Sequence, residues 1–197
     1  MLSRPEREIP LEAVVIGASA GAIEALRELI PPLSQNLRLP IIVVVHLPPR
    51  RKSLLTELFG AMCAAPVREP QDKEPILGGG IWFAPPDYHL LIEGRSFALS
   101  LEAPVNFSRP SVDVLFESAA VAYGAGLTAV VLTGASEDGA LGARSIRQLG
   151  GHVYVQDPEQ ALVRTMPDAA IRLADPQFVG SLASIATLLC DSTGWSP

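Results

Sequence analysis

Ala13-Val14-Val15-Ile16-Gly17-Ala18-Ser19-Ala20-Gly21-Ala22-Ile23-Glu24-Ala25 is the stretch whose reading decides the fold of this chain. Ala13 to Ile16 predict a short buried strand and Gly17 to Gly21 a tight turn, while Ile23, Leu26 and Ile30 recur at helical spacing. A serine at a sharp strand-to-helix turn is held with its hydroxyl above a sheet edge. The N–H groups at the helix start point at the same spot, where they stabilise negative charge. Two plainer readings fit the same residues: Ser19 as a helix N-cap, and a phosphate-binding loop. Phosphate loops need G-x-G-x-x-G or G-x-x-x-x-G-K-[ST]. Here Ser19 and Ala22 stand where the later glycines belong, and no lysine follows. A chemical role for Ser19 therefore depends on partners elsewhere in the chain.

With 197 residues, 48% of them hydrophobic, the chain can bury one sizeable core. One domain is expected over residues 12–190, with a flexible N-terminus over 1–11 and a tail over 191–197. The net charge is −6, and the basic residues form only Arg50-Arg51-Lys52 and the pair Arg144 and Arg147. That argues against a nucleic-acid surface. Two cysteines, Cys63 and Cys190, lack C-x-x-C spacing and read as reduced core residues. Three histidines far apart give a metal little to bind, and no metal or cofactor is expected. Met1 to Pro10 is too charged for a signal peptide. The longest strongly apolar run, Leu39 to Leu47, is too short to span a bilayer. A cytoplasmic protein without membrane insertion is expected.

Outward from the opening stretch, the first helix is predicted to end near Pro31-Pro32. Leu39 to Val45 is a β-branched run typical of a strand buried on both faces, and it ends in His46-Leu47-Pro48-Pro49. Ser53 is placed to cap a helix through Met62. From Ala65, dense proline and glycine interrupt the rhythm, and Ile81–Ala84, His89–Ile92 and Phe97–Leu101 read as short strands. Glu93-Gly94-Arg95 reads as a hairpin turn. An antiparallel or mixed excursion is expected around residues 66–101. Ser111 is placed to cap the next helix. Leu127 to Leu132 is a third buried strand, followed by a helix through Leu149, a strand at His152–Val155, a helix opening at Pro167 and a last helix at Ser181–Leu189. Strands alternating with helices imply an α/β fold, a doubly wound and mainly parallel sheet flanked by helices.

Ligand sites in such sheets form beyond the carboxyl ends of the strands. Three strands end in chemically useful residues: Ser19, His46 and Asp138, the last in Thr133-Gly134-Ala135-Ser136-Glu137-Asp138-Gly139. A serine nucleophile needs a base, and the base an orienting carboxylate. Taken singly, His46 also fits a strand-ending imidazole and Asp138 a cap or turn former. His89 and His152 are weaker candidates for the base, and Asp87, Asp113, Asp157 and Asp168 for the acid. The order serine, histidine, aspartate differs from that of the α/β-hydrolases.

Further segments make a family resemblance: Ile16-Gly17-Ala18-Ser19, Val45-His46-Leu47-Pro48-Pro49, Ala84-Pro85-Pro86-Asp87-Tyr88-His89 and Arg109-Pro110-Ser111-Val112-Asp113-Val114-Leu115-Phe116. Val131-Leu132-Thr133-Gly134, Asp138-Gly139-Ala140 with Gly142, and Met166-Pro167 with Ala170 continue it. In this order, from about residue 12 to 190, the chain resembles the catalytic domain of the CheB protein-glutamate methylesterases of bacterial chemotaxis. The resemblance implies a Ser19–His46–Asp138 triad that cleaves γ-methyl esters of receptor glutamates, and deamidation of glutamines by the same acyl chemistry. It also implies an oxyanion hole from the N–H groups near Ala20 and Ala135, with Tyr88, His89 and Arg109 flanking the cleft. Arg109 is placed either to position a substrate carboxylate or to pair with Asp113, and the structural pair is the expected role. The implied partner is the methylated helical bundle of a chemoreceptor.

The chain departs from the family pattern at Ala20 and Ala22, where threonine and glycine are usual, at Ala135-Ser136, where Met-Gly is usual, and at Thr165, where glycine is common. A bulky apolar wall beside the triad is thereby lost. The departures keep two alternatives open: an esterase for a different ester, and a non-catalytic signalling module. Only about ten residues precede the first strand, which leaves a piece of a longer protein or a stand-alone esterase; the initial methionine favours the stand-alone form, regulated by a separate receiver-domain protein if at all.

Overall fold

A computed structural model of the chain describes residues 10–47 and 53–192. The expectations for residues 1–9, Pro48-Pro49, Arg50-Arg51-Lys52 and residues 193–197 lie outside the described residues.

The opening stretch forms β1 (Ala13–Ala18) and α1 (Ala22–Ser34). There follow β2 (Ile41–Val45), α2 (Leu55–Gly60), β3 (Val67–Arg68), β4 (Ile81–Phe83), β5 (His89–Glu93), β6 (Ser96–Ser100) and α3 (Val112–Tyr123). After a single 3-10 turn come β7 (Leu127–Val131), α4 (Ala140–Gln148), β8 (His152–Gln156), α5 (Thr165–Ala174), β9 (Phe178–Gly180) and α6 (Leu182–Ser192). Seven strands make one parallel sheet in the order β3-β4-β2-β1-β7-β8-β9.

The central strands are apolar on both faces because both are covered. Val14, Ile16, Ala18, Val43 and Val45 pack into one core with α1, α2 and α6. Ala13, Val15, Ile42 and Val44 pack into the other with α3, α4, α5 and the hairpin. The doubly wound, mainly parallel sheet expected from the sequence is the one observed. The antiparallel excursion is the β5–β6 hairpin, joined by an isolated antiparallel bridge between Pro75 and Ser96. In the same stretch, Val67–Arg68 and Ile81–Phe83 instead extend the parallel sheet. Cys63 and Cys190 are both partly buried.

Helix boundaries move at four places, and α6 runs past Leu189 to Ser192. α1 continues through Pro31 and Pro32 to Ser34. The carbonyls that these prolines leave unbonded belong to Arg27 and Glu28, which face water, so the usual interior penalty is relieved. α5 opens at Thr165, making Pro167 its third residue rather than its first. α2 ends at Gly60.

β1 sits where the winding reverses. The chain leaves it toward β2 on one side, while β7 on its other side leads on to β8. That reversal opens a crevice at the carboxyl ends of β1 and β7, the usual place for a ligand in this architecture.

Candidate active site

The β1–β2 register pairs Ala18 with Val45, so Ser19 and His46 leave neighbouring strands side by side. The His46 N–H donates to Ala18 O at 3.2 Å, and on the other flank the Ser19 N–H donates to Thr133 O at 2.9 Å. Ser19 is half-buried. Gly21 takes φ 81°, a left-handed conformation that an L side chain would strain, and it lets the chain turn from β1 into α1. Gly134 provides a close approach: a Cβ there would stand 2.9 Å from Ser19 Cβ.

His46 Nε2 lies 2.7 Å from Asp138 Oδ2. Asp138 has no solvent exposure and takes up a dense set of donors. Oδ2 accepts the Val112 N–H at 2.6 Å. Oδ1 accepts Ser111 Oγ at 2.8 Å, the Asp113 N–H at 3.1 Å and Asn106 Nδ2 at 2.9 Å. Burial pushes this carboxyl up, but the bonds from His46, Asn106, Val112 and Ser111 outweigh it and hold the group below the usual carboxylate range. An ionised carboxylate only accepts, so Nε2 carries the proton and Nδ1 keeps a lone pair for a hydroxyl proton. Among the described residues no hydrogen bond joins the Ser19 hydroxyl to the ring. Nucleophile–base contacts of unliganded sites are commonly long and tighten on substrate.

Ala20 and Ala135 are exposed on either side of Ser19, and among the described residues neither N–H is taken up by another group. Around them, Thr133 Oγ1 donates to Ala20 O and accepts the Val163 N–H, while the Thr133 N–H is bound by Gln156 Oε1.

A cavity of about 160 Å³ adjoins His46, lined by Leu47, Asp87, Pro104, Phe107, Ser108, Arg109 and Pro110. Of the three residues expected to flank the cleft, Arg109 lines this cavity. Its guanidinium donates to Leu101 O and Glu102 O, both at 2.8 Å, and not to Asp113. The expected Arg109–Asp113 pair is replaced by these backbone contacts. His89 is buried: Nε2 donates to Ala103 O at 3.1 Å and Nδ1 accepts the Ser111 N–H at 3.2 Å. Tyr88 is exposed outside the cavity lining. His152 opens β8, at the opposite end of the sheet.

The sequence reading missed Asn106, whose Nδ2 bridges Asp138 Oδ1 and Asp113 Oδ2 at 2.9 Å each. It gave Asp113 as an alternative acid and as a partner for Arg109. Asp113 Oδ1 accepts the Gly142 N–H at 2.7 Å. Its carboxyl is raised to about 6, chiefly by burial and further by the facing Asp138. Among the described residues, no group of three or more His, Cys, Asp and Glu side chains is placed to hold a metal ion. No helix there is long and apolar enough to cross a membrane.

A family model described as CheB methylesterase matches residues 14–189. A Leptospira interrogans protein, provisionally named protein-glutamate methylesterase/protein-glutamine glutaminase, is 43% identical over 178 residues, covering 90% of this chain and 92% of its own length. A Trichodesmium erythraeum protein-glutamate methylesterase/protein-glutamine glutaminase is 39% identical over 163 residues, covering 81% of this chain but 46% of its own. The crystal structure of the Thermotoga maritima CheB methylesterase catalytic domain superposes with a TM-score of 0.88 at 32% identity, covering 93% of this chain and 99% of that one.

Proposed function

The chain belongs to the CheB methylesterase family, a family of hydrolases, and from that membership we propose that it demethylates glutamate γ-methyl esters on the cytoplasmic helical bundle of a chemoreceptor. Ser19 Oγ attacks the ester carbonyl while His46 Nδ1 takes its proton, and Asp138 holds the resulting imidazolium through Nε2. The oxyanion of the tetrahedral intermediate meets the N–H groups of Ala20 and Ala135. Collapse expels methoxide, which takes the proton from His46 and leaves as methanol. Water, deprotonated by His46, then attacks the acyl-Ser19 ester; the Ser19 oxygen leaves, takes the proton back from His46, and the glutamate is freed. With a glutamine substrate the same steps release ammonia.

The observation that carries this reading is the 2.7 Å contact of His46 with a fully buried carboxylate, one strand position from Ser19. Its test is methanol release from methylated chemoreceptor cytoplasmic fragments by the wild type and Ser19→Ala. Loss of about a hundredfold or more on removing Ser19 is expected. Equal release by the two proteins sinks it. The exposed Ala135, in place of a bulky wall, favours one second reading, an esterase for another ester. Release from a small ester but from no receptor fragment would select it. Regulation by a separate receiver-domain protein belongs to the first reading, as does a cytoplasmic location.

A further inference from the structure

Phe107 is fully exposed, the most exposed large apolar side chain among the described residues. A lone surface apolar residue needs no explanation, but three observations set this one apart. It lines the cavity that also holds His46. It sits in left-handed backbone, φ 63°, directly after Asn106 at φ 49°, a costly conformation for a bulky residue. And the loop beneath it is fastened along its length. Val105 and Ser108 exchange both backbone hydrogen bonds. Asn106 ties the tip to Asp113 and Asp138, and Arg109 and His89 tie its base to the carbonyls of Leu101, Glu102 and Ala103. The ring is held out over the mouth of the site by a preorganised scaffold, which spares a binding partner the entropy of ordering it.

We propose that Phe107 is the docking contact for a helical protein substrate, packing on the helix surface beside the residue that carries the reacting ester. This rests on the methylesterase reading above. The occupant follows from size. A cavity of about 160 Å³ holds one side chain and is smaller than the pockets that enclose whole small ligands. The bulk of the substrate therefore lies outside, where Phe107 stands. A second exposed apolar side chain, Leu162, stands on the β7 side of Ser19 against Gly21. Because Asn106, next to Phe107 in the loop, bonds Asp138, docking on Phe107 bears on the carboxylate that orients His46.

The test compares kcat/KM for a methylated receptor fragment with that for N-acetylglutamate γ-methyl ester α-methylamide, which has the reacting group and no helix. The readout is the ratio of the two. Phe107→Ala is expected to lower the ratio about tenfold or more, the worth of burying one aromatic ring. Phe107→Leu is expected to keep it within about threefold of the wild type. A ratio unmoved in Phe107→Ala overturns the proposal, whether both rates stay or both fall together. So does a Leu variant as impaired as the Ala variant. If the wild type releases no methanol from the receptor fragment, the methylesterase reading fails first and the docking contact with it.

Discussion

Gly134 leaves Ser19 room that any side chain in its place would take. An added methyl would meet Ser19 Cβ at 2.9 Å and Met166 Cε and Sδ at 3.0 Å. Met166 is a flexible side chain and can give way. Ser19 Cβ cannot, since its backbone N–H is fixed to Thr133 O at 2.9 Å and its strand is locked between β2 and β7. The overpacking of Gly134→Ala is expected to destabilise the fold by about 1–3 kcal/mol. Displacing the proposed nucleophile by up to about an ångström is expected to lower kcat by up to about a hundredfold. Denaturant melts and methanol-release rates on the same variant separate the two effects. A Gly134→Ala enzyme with full kcat would show that the hydroxyl is free to adjust.

At the scale of the element, the start of α3 acts as the anchor of the site. Its first N–H groups, from Val112 and Asp113, point at Asp138, which caps the helix from another part of the chain and receives the positive end of its dipole in return. Ser111→Ala removes the buried hydroxyl donor at 2.8 Å. A hydrogen bond to a charged group is worth about 1.5–3 kcal/mol, so a loss of that order in unfolding free energy is expected, together with a fall in esterase activity. Unchanged stability would mean that water replaces the hydroxyl. The same helix start shows where the sequence stops being readable. A serine before an apolar-periodic run reads as an N-cap, but here the carboxylate of Asp138 takes the N–H groups and Ser111 turns to bind it too. That exchange depends on a residue 27 positions away. Strands with β-branched runs, such as Ile41–Val45, were legible because burial on both faces demands them. The two-residue Val67–Arg68 and the partly exposed Phe178–Gly180 have too little pattern. Ser19, His46 and Asp138 stood out because each follows a legible strand. Asn106 did not, since its place depends on a left-handed turn inside irregular chain.

For the molecule as a whole, the two neighbouring carboxylates make opposite contributions to stability. Asp113 is raised from 3.8 to about 6 by burial, helped by repulsion from Asp138 and Glu117 and opposed by the Gly142 N–H and Asn106. Between these values the folded chain keeps a proton that the unfolded chain has released. The stability this gives is full below pH 4 and is lost as pH rises toward 6, by up to about 3 kcal/mol at about 1.4 kcal/mol per pH unit. Asp138 is lowered, so its contribution is present above the ordinary carboxylate range and is lost only as pH falls below it. Asp113→Asn removes the first effect and leaves the second. Unfolding free energies of the wild type and Asp113→Asn, measured by denaturant at intervals from pH 4.5 to 7.5, are expected to draw apart. The wild type should lose about 1–3 kcal/mol relative to the variant as pH rises through the window, and the two should run parallel above it. Parallel curves throughout would mean that Asp113 titrates as an exposed carboxylate does. Asn106 would then bridge two ordinary anions.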